Sequence, residues 1–316
     1  MITEIGTDLA KALALLQSGS QVAVPTETVY GLAADANNEE AVLGIFSAKG
    51  RPHTNPLILH FAQVPDALPY IQEFPEVFQR LATQFCPGPL TFIVPKSSLV
   101  SELITGGQQT VAIRFPQHET LQALLRLLGR PLAAPSANLY GQLSPTTATH
   151  VFEQLDGRIP YILDGGACKQ GLESTIIGLV NDRVQIYRYG SVTPEQLSSQ
   201  LGYTPEAKIH EHGGILTSGM VKHHYATQTP LFLGVKSVDS DGQTLQILLK
   251  NKAEIPEPKL ILSEEGSLVE AAQNLYAALH DADQLGMQRI FVESFPKDGL
   301  GAAMNDRLSR AAAKFQ

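Results

Sequence analysis

Short apolar runs alternate with amphipathic stretches along the first two hundred residues. Compact apolar runs next to Pro or Gly are typical of buried strands. The runs of this kind lie at residues 22–24, 57–59, 90–94, 110–115, 161–163, 173–177 and 184–189. Apolar residues at helical spacing predict helices around residues 9–16, 42–49, 77–85, 121–128 and 194–200. Strands interleaved with helices predict an α/β or α+β domain over residues 1–200.

The pattern changes after this domain. Residues 201–230 lack apolar periodicity and contain His210, His212, His223 and His224, so they are predicted to form a linker. Imidazole is a common metal ligand, but no helix fixes the spacing of these histidines, and a metal site is not expected. Residues 231–316 contain strand-like runs, a helical stretch at 267–285 and a final helix. They predict a small Rossmann-like α/β domain.

Polar side chains gather at the ends of the predicted strands of the first domain. Gly31 is expected to permit a turn and Gly50 to cap the helix at 42–49. Strand alternation puts Thr110 and Arg114 on the same face of one strand. The full candidate set comprises Thr28, Lys49, Arg51, Asn55, His60, Thr110, Arg114, Ser136, Asn138, Ser144, Ser174 and Arg188.

Each of these residues alone has a plain structural interpretation. Lys49, for example, complements the negative end of its own helix, and Arg51 before a proline is compatible with a solvated loop. Together, the cations, hydroxyls and amides favour a site that binds and orients anions. No nucleophile–base pair is evident, and the motifs GxSxG, HExxH and GxxxxGK[ST] are absent. The site therefore suits catalysis by positioning and electrostatic stabilisation.

Composition narrows the class of protein further. The formal net charge is −8, which disfavours general nucleic-acid binding. A local basic concavity is nevertheless compatible with this net charge. The 2 cysteines cannot form a disulfide framework or a Cys-rich zinc site. No apolar run is long enough for a membrane span, and residues 1–19 lack the features of a signal peptide. The expectation is a cytoplasmic protein.

Four motifs occur in order along the first domain. They are PTETVYGL at 25–32, KGRPxxNPL at 49–57, PSAN with GxxSPTT at 135–147, and ESTI at 173–176. This set resembles the YrdC-type threonylcarbamoyl-AMP synthase family, and the linker with the second domain resembles its long, two-domain form. The resemblance implies a twisted α/β sheet with a concave, locally basic cavity. It also implies that L-threonine, bicarbonate and ATP give threonylcarbamoyl-AMP and pyrophosphate, for transfer to tRNA by a threonylcarbamoyl-transferase complex.

The resemblance also assigns roles residue by residue. Threonine would be held by Thr28, His60, Arg114, Ser174 and the backbone of Ala134. ATP would be held by Arg51, Asn55, Thr110, Ser136, Ser144, Arg188 and, from the linker, Tyr225. Lys49 and Arg51 are the catalytic candidates, because with Mg²⁺ they would offset charge on the phosphates. The Mg²⁺ would arrive with ATP, without a ligand from a protein side chain, and the linker would act as a lid that excludes water.

The sequence departs from the family pattern at four positions. Tyr140 replaces a small hydroxyl residue, Gly178 an acidic residue, and Ser218 and Thr227 replace prolines. Two alternatives stay open. One is a non-catalytic module that binds double-stranded RNA with the same fold. The other is a carbamoyl-adenylate enzyme like the hydrogenase-maturation carbamoyltransferases, whose additional Cys-rich zinc module this chain has no room for.

Overall fold

The computed structural model describes residues 2–208, 224–235, 243–255 and 257–316. Most strands of these segments belong to one large sheet. They are β1 (Glu4–Gly6), β2 (Val22–Val24), β3 (Gly31–Asp35), β4 (Ile58–His60), β5 (Leu90–Pro95), β6 (Thr110–Arg114), β7 (Leu132–Ala133), β8 (Tyr161–Leu163), β9 (Thr175–Val180), β10 (Arg183–Arg188) and β11 (Glu206–Ala207). Within the described residues their spatial order is β1-β8-β2-β3-β7-β4-β6-β5-β9-β10-β11.

The large sheet mixes parallel and antiparallel pairs. Strands β4 and β6 are parallel, and their register places His60 opposite Arg114. Strands β5 and β6 form an antiparallel pair, as do β2 and β3. The central strands β3, β7, β4 and β6 therefore bring chain segments that are far apart in sequence to one region of the sheet. This region contains most of the candidate residues.

Helices cover the large sheet. They are α1 (Leu9–Gln17), α2 (Glu39–Lys49), α3 (Val64–Ala67), a 3₁₀ turn (Leu68–Tyr70), α4 (Glu76–Phe85), α5 (Glu102–Thr105), α6 (Glu119–Leu128), α7 (Ala148–Leu155) and α8 (Pro194–Leu201). Helix α2 is capped by the Asn38 side chain, which accepts a hydrogen bond from the backbone of Ala41. It ends at Gly50, whose φ of 63° is left-handed, so the predicted glycine cap is confirmed.

The second unit has a smaller sheet. Its strands are β12 (Leu231–Leu233), β13 (Thr244–Leu248), β14 (Lys259–Ile261) and β15 (Arg289–Val292), and its helices are α9 (Leu268–Gln284) and α10 (Gly299–Ala312). The strands are parallel in the order β12-β15-β13-β14. The α/β class predicted for both units is confirmed. Within the described part of the chain, no helix is long and apolar enough to cross a membrane.

The two units share an apolar core. Val29, Leu143 and Leu172 of the first unit belong to the same buried cluster as Leu275 and Met304 of the second. The expected limits of the domains, 1–200 and 231–316 with a linker between them, stay a prediction. Strand β11 nevertheless pairs with β10 and continues the large sheet past residue 200.

The structure differs from the sequence-based expectation at two elements. Gly31 was expected in a turn, but it begins strand β3, in which every residue is buried. A central strand covered on both faces has no alternation of polar and apolar residues, which is why the pattern did not reveal it. Helix α7 was also not predicted, although Thr147 is its N-cap and accepts a hydrogen bond from the backbone of His150.

Candidate active site

A narrow cavity of about 40 Å³ lies where the central strands of the large sheet end. Several elements contribute to its wall, including the segment before β3, the end of β4, the end of β6 and the loop after β7. The predicted site residues that line it are Arg51, His60, Arg114, Ala134, Ser136, Arg188 and Tyr225. The structure therefore brings together residues that are up to 174 positions apart in the chain (51 to 225).

Arg51 forms the cationic side of this cavity and is also part of its framework. Its guanidinium donates to the backbone oxygens of Asn55 (3.2 Å) and Pro56 (2.8 Å) and to Asn55 Oδ1 (2.8 Å). Burial lowers the pKa of Arg51 to about 10, so the side chain is still charged at neutral pH. Asn55 itself does not line the cavity, and it orients Arg51 instead.

Lys49 lies directly behind the cavity wall. Its Nζ donates to the backbone oxygens of Ser136 (2.6 Å) and Asn138 (2.5 Å) and to Asn138 Oδ1 (3.2 Å). Burial and then the nearby Arg51 lower the pKa of Lys49 well below its usual value. Three acceptor oxygens favour the ammonium form, which alone has three N–H donors. Lys49 therefore fixes the loop that brings Ser136 to the cavity.

The opposite side of the cavity contains His60 and Arg114. Burial and then the charge of Arg114 lower the pKa of His60 to about 3, so its imidazole is neutral at physiological pH. The His60 Nδ1 lies 3.2 Å from the backbone oxygen of Ile58, and it donates to that oxygen in the corresponding tautomer. Arg114 Nη2 donates to Thr28 Oγ1 at 2.8 Å and to Glu27 Oε1 at 2.8 Å. Thr28 thus supports Arg114 rather than lining the cavity.

Ser174 and Arg188 act together at the edge of the cavity. Arg188 donates through Nε to the backbone oxygen of Ser174 (3.0 Å) and through Nη2 to its hydroxyl (3.0 Å). The Ser174 hydroxyl also lies 2.7 Å from the hydroxyl of Thr91. Ser144 has a different neighbour, because its hydroxyl donates to Glu173 Oε1 at 2.6 Å.

Glu173 connects the cavity to the second unit. Its carboxylate accepts hydrogen bonds from Arg307 Nε (2.8 Å) on α10 and from the hydroxyl of Tyr276 (3.0 Å) on α9. Burial alone would raise the pKa of Glu173, but Arg307, Arg188 and the Ser144 hydroxyl more than offset it and lower the pKa to about 2. Arg307 is 1% exposed, so this is a fully buried ion pair between the two units.

Two linker residues cover the cavity. Tyr225 is 1% exposed and adopts a left-handed φ of 63°, which is uncommon for a residue other than glycine. Its ring lies 5.1 Å from the guanidinium carbon of Arg307 and 4.0 Å from the ring of His224. Ala226 pairs its backbone N–H with the oxygen of Gly141 at 2.9 Å. These residues form the part of the expected lid that the structure describes.

The covering residues bury polar atoms without partners. The Tyr225 hydroxyl and His224 Nδ1 have no hydrogen-bond partner within the described segments, and both residues line the cavity. Burial lowers the pKa of His224 to about 3, so it covers the cavity as a neutral imidazole. Polar atoms buried in this way are costly unless a ligand or water pairs with them. The predictions about His210, His212, His223 and Ser218 concern positions outside the described residues.

Thr110 is separate from the other candidates. It starts β6, whereas Arg114 ends it, so the two are about 13 Å apart along the strand although they share a face. Thr110 does not line the cavity.

The structure shows the contacts of three residues that depart from the family pattern. Tyr140 accepts a hydrogen bond from Asn55 Nδ2 (3.3 Å), and its ring centroid lies 6.0 Å from the Arg51 guanidinium carbon and 6.4 Å from the ring of His224. At Gly178 a Cβ atom would lie 2.9 Å from the Tyr187 ring, so that ring occupies the space of a side chain. Thr227 donates its hydroxyl to the backbone oxygen of Thr229 at 2.6 Å.

The sequence-based prediction of site residues omitted Glu173 and His224, which line the cavity, and three neighbours farther from it. Glu27, Tyr276 and Arg307 are ordinary charged or aromatic residues in the sequence, and their partners lie 87 to 134 positions away. Of these three, only Glu27 had a local signal, since it belongs to the PTETVYGL motif. Across the described ranges, no three His, Cys, Asp or Glu side chains are grouped so that they could hold a metal ion.

Comparison with known proteins places this chain in one class. A family model for Sua5, YciO and YrdC proteins, described as "Telomere recombination", matches residues 14–190. A second model, described as "Threonylcarbamoyl-AMP synthase, C-terminal domain", matches residues 192–313. The chain therefore has the YrdC-like catalytic fold followed by the additional domain of the longer proteins.

Individual relatives cover nearly the whole chain. The threonylcarbamoyl-AMP synthase of Bacillus subtilis is 39% identical over 325 residues, which covers 96% of this chain and 92% of that protein. The Pyrococcus abyssi protein of the same name is also 39% identical, with 95% and 93% covered. A solved structure of P. abyssi Sua5 complexed with L-threonine superposes with a TM-score of 0.89 at 35% identity and covers 98% of this chain and 97% of that one. The chain belongs to the threonylcarbamoyl-AMP synthase family in its two-domain form, which confirms the resemblance seen in the four motifs.

Proposed function

We propose that this cavity combines L-threonine, bicarbonate and ATP into L-threonylcarbamoyl-AMP and pyrophosphate. The observation that carries the proposal is the juxtaposition, in one covered cavity, of Arg114 and neutral His60 on one side and Arg51 on the other. Arg114 suits a carboxylate, because its cationic guanidinium has a buried Nε–H without a partner among the described residues. The charged guanidinium of Arg51 suits a phosphate chain. The P. abyssi relative was solved with L-threonine, which supports threonine as the amino acid.

The reaction has two bond-forming steps. The amine of threonine first takes up bicarbonate as a carbamate with loss of water. A carbamate oxygen then forms a bond to the α-phosphorus of ATP, the bond from that phosphorus to the bridging oxygen breaks, and pyrophosphate leaves with the electron pair. Mg²⁺ bound to ATP would neutralise part of the phosphate charge. No protein ligand to that ion is proposed.

Side chains of the cavity would position threonine and balance the charge of its carboxylate. Arg114, supported by Thr28, would hold the threonine carboxylate, and Ser174 would be a further contact. Neutral His60 adds no charge beside Arg114, so it offers a hydrogen bond to threonine instead. Ala134 lines the cavity and would contact threonine through its backbone.

Residues on the opposite side of the cavity would bind and orient ATP in a similar way. Arg51 would bind the phosphates directly, while Lys49 and Asn55 hold the loop of Ser136 and the guanidinium of Arg51 in place. Preorganised cations and donors of this kind stabilise charge that develops on the phosphates without reorganisation. Arg188, Ser144 and Tyr225 are proposed contacts at the rim, and Thr110 would meet ATP only beyond the cavity described above.

The covering segment would protect the intermediates. Carbamates and mixed phosphate anhydrides react with water, so a closed cavity over them favours the product. We further propose that the product passes to a tRNA-modifying threonylcarbamoyl transferase. The alternative of an RNA-binding module is not favoured, since the relatives that match the full chain are named as synthases and the net charge is −8.

Pyrophosphate release tests this proposal directly. Purified protein with Mg²⁺ and ATP is expected to release pyrophosphate only when both threonine and bicarbonate are present, and more slowly when serine replaces threonine. Release that is independent of threonine would show a different ATP-using reaction. A folded protein that binds ATP but releases no pyrophosphate under any of these conditions would contradict the proposal.

The replacement Tyr225→Phe tests the role of the covering segment. In the absence of ligand the Tyr225 hydroxyl is buried without a partner among the described residues, so its removal should leave the midpoint of thermal unfolding unchanged or slightly higher. If the hydroxyl contacts the nucleotide, KM for ATP should rise about tenfold, in line with the loss of one hydrogen bond to a charged group. Unchanged KM together with unchanged stability would remove this hydroxyl from the site.

A further inference from the structure

Glu27 lies outside the cavity, but it holds the guanidinium that faces the cavity. Its side chain is 4% exposed and stands in the turn before β3. Glu27 Oε1 accepts from Arg114 Nη2 at 2.8 Å, and Oε2 accepts from the backbone N–H of Gln117 at 3.0 Å. One carboxylate thus fixes both the side chain of Arg114 and the backbone three residues after it.

The ion pair between Glu27 and Arg114 lies between the cavity and a second, open depression. Arg114 lines the covered cavity, whereas Glu27 lines an open depression of about 740 Å³ on the other side, together with Gln117 and Lys169. Arg114 directs Nη2 toward Glu27 and Thr28, while its Nε is buried without a hydrogen-bond partner in the described structure. A buried, unpaired N–H on a guanidinium that lines a cavity is available to an acceptor inside that cavity.

We infer that Glu27 is a positioning residue for recognition of the substrate carboxylate by Arg114. Held at Nη2 by Glu27 and Thr28, the guanidinium keeps its Nε–H available to an acceptor in the cavity. The inference rests on the proposed function, in which Arg114 binds the carboxylate of threonine. Glu27 acts through Arg114 and touches no substrate atom.

Two physical roles of Glu27 lead to opposite expectations. If Glu27 only balances the charge of Arg114, removal of its charge leaves the guanidinium free to attract the substrate carboxylate more strongly. If Glu27 orients Arg114, its removal lets the guanidinium rotate and weakens the contact. Glu27→Gln separates these roles, because glutamine has no charge and only one acceptor oxygen, so it cannot accept from Arg114 at one oxygen and from the Gln117 backbone at the other.

The measurement compares two ligands by titration calorimetry. L-threonine has the carboxylate, and L-threoninol has a hydroxymethyl group in its place. The wild-type protein should bind threonine more tightly than threoninol. Glu27→Gln should weaken threonine binding at least tenfold and change threoninol binding less than twofold. Glu27→Asp keeps the charge but shortens the reach to Arg114, and it should show the same selective loss.

A matched control is available in the same sheet. Asp35 at the far end of β3 is also a buried carboxylate, 2% exposed, and it pairs with Arg130 at 2.5 Å. Asp35→Asn should leave the affinities for both ligands unchanged, which would show that neutralising a buried, ion-paired carboxylate does not by itself produce the selective effect. Circular dichroism verifies that each variant is folded.

The outcomes are distinguishable. Equal or tighter threonine binding by Glu27→Gln, or a parallel loss for threonine and threoninol, would overturn the inference. A wild-type protein that does not prefer threonine would overturn both this inference and the role of Arg114. If the preference is present and is lost in the variants, but the wild-type protein releases no pyrophosphate, the proposed reaction fails while the role of Glu27 stands.

Discussion

Arg51→Ala is expected to lower kcat/KM for ATP at least 100-fold. Arg51 is the charged guanidinium on the side of the cavity that is proposed to bind phosphate, and loss of one preorganised donor to developing charge costs about 10²–10³ in rate. The side chain also bonds to Asn55 and Pro56, so its removal should cost about 1–3 kcal/mol of stability through unpaired acceptors. Arg51→Lys keeps a charge but not the fork geometry, and it should recover stability better than activity.

Steady-state pyrophosphate release measures this effect, with circular dichroism to verify the fold. Arg80→Ala is a suitable control, because Arg80 is an exposed arginine on α4, and its replacement should leave the rate unchanged. Turnover of Arg51→Ala within a few fold of the wild-type rate would remove Arg51 from the chemistry and leave it a purely structural role.

Arg307→Leu is expected to cause the largest loss of stability, about 3–5 kcal/mol. Arg307 is fully buried and donates to Glu173 and to the backbone oxygen of Tyr189 at 2.6 Å. Removal of one member of a buried ion pair leaves the other charge uncompensated, which is the costly case. The double variant Arg307→Leu/Glu173→Gln should recover part of the loss. Because the chain contains no tryptophan, circular dichroism in urea is the appropriate probe.

The pH dependence of stability is an independent test of the ion pair between Glu173 and Arg307. The pKa of Glu173 is about 2 in the folded protein and near 4.5 without its partners, so its contribution to stability is fully present above about pH 4.5. That contribution is lost as the pH falls toward 2, because protonation then favours the unfolded chain. The difference in unfolding midpoint between wild-type protein and Arg307→Leu should therefore shrink from pH 6 to pH 3. A difference that stays constant over this range would contradict the role assigned to Glu173.

The sequence predicted those parts of the fold that depend on local chemistry. Helix α2 was found because Gly50 can adopt the left-handed cap, and the runs of 22–24 and 161–163 were found because compact apolar segments beside Pro or Gly suit buried strands. Strand β3 was not found, because its small buried residues resemble a loop in composition and its burial depends on neighbours in the sheet.

Prediction of the candidate site from the sequence was limited in the same way. Motif residues such as Arg51 and Arg114 line the cavity as expected, but Thr110 does not, because alternation fixes the face of a strand and not the position along it. Arg307 belongs to the second unit, and no periodicity or spacing relates it to Glu173. Its role depends on the packing of α10 against the first unit, which only the tertiary structure provides.

The central claim is that one cavity joins three substrates, and incorporation of ¹³C-bicarbonate tests it most directly. The protein is incubated with Mg²⁺, ATP, L-threonine and labelled bicarbonate, quenched rapidly and analysed by mass spectrometry. The account predicts a nucleotide whose mass equals that of threonylcarbamoyl-AMP plus one mass unit for the labelled carbon. It also predicts that this species disappears without threonine and in Arg51→Ala. A nucleotide product without the label, or AMP formation with no threonine-containing adduct, would contradict it.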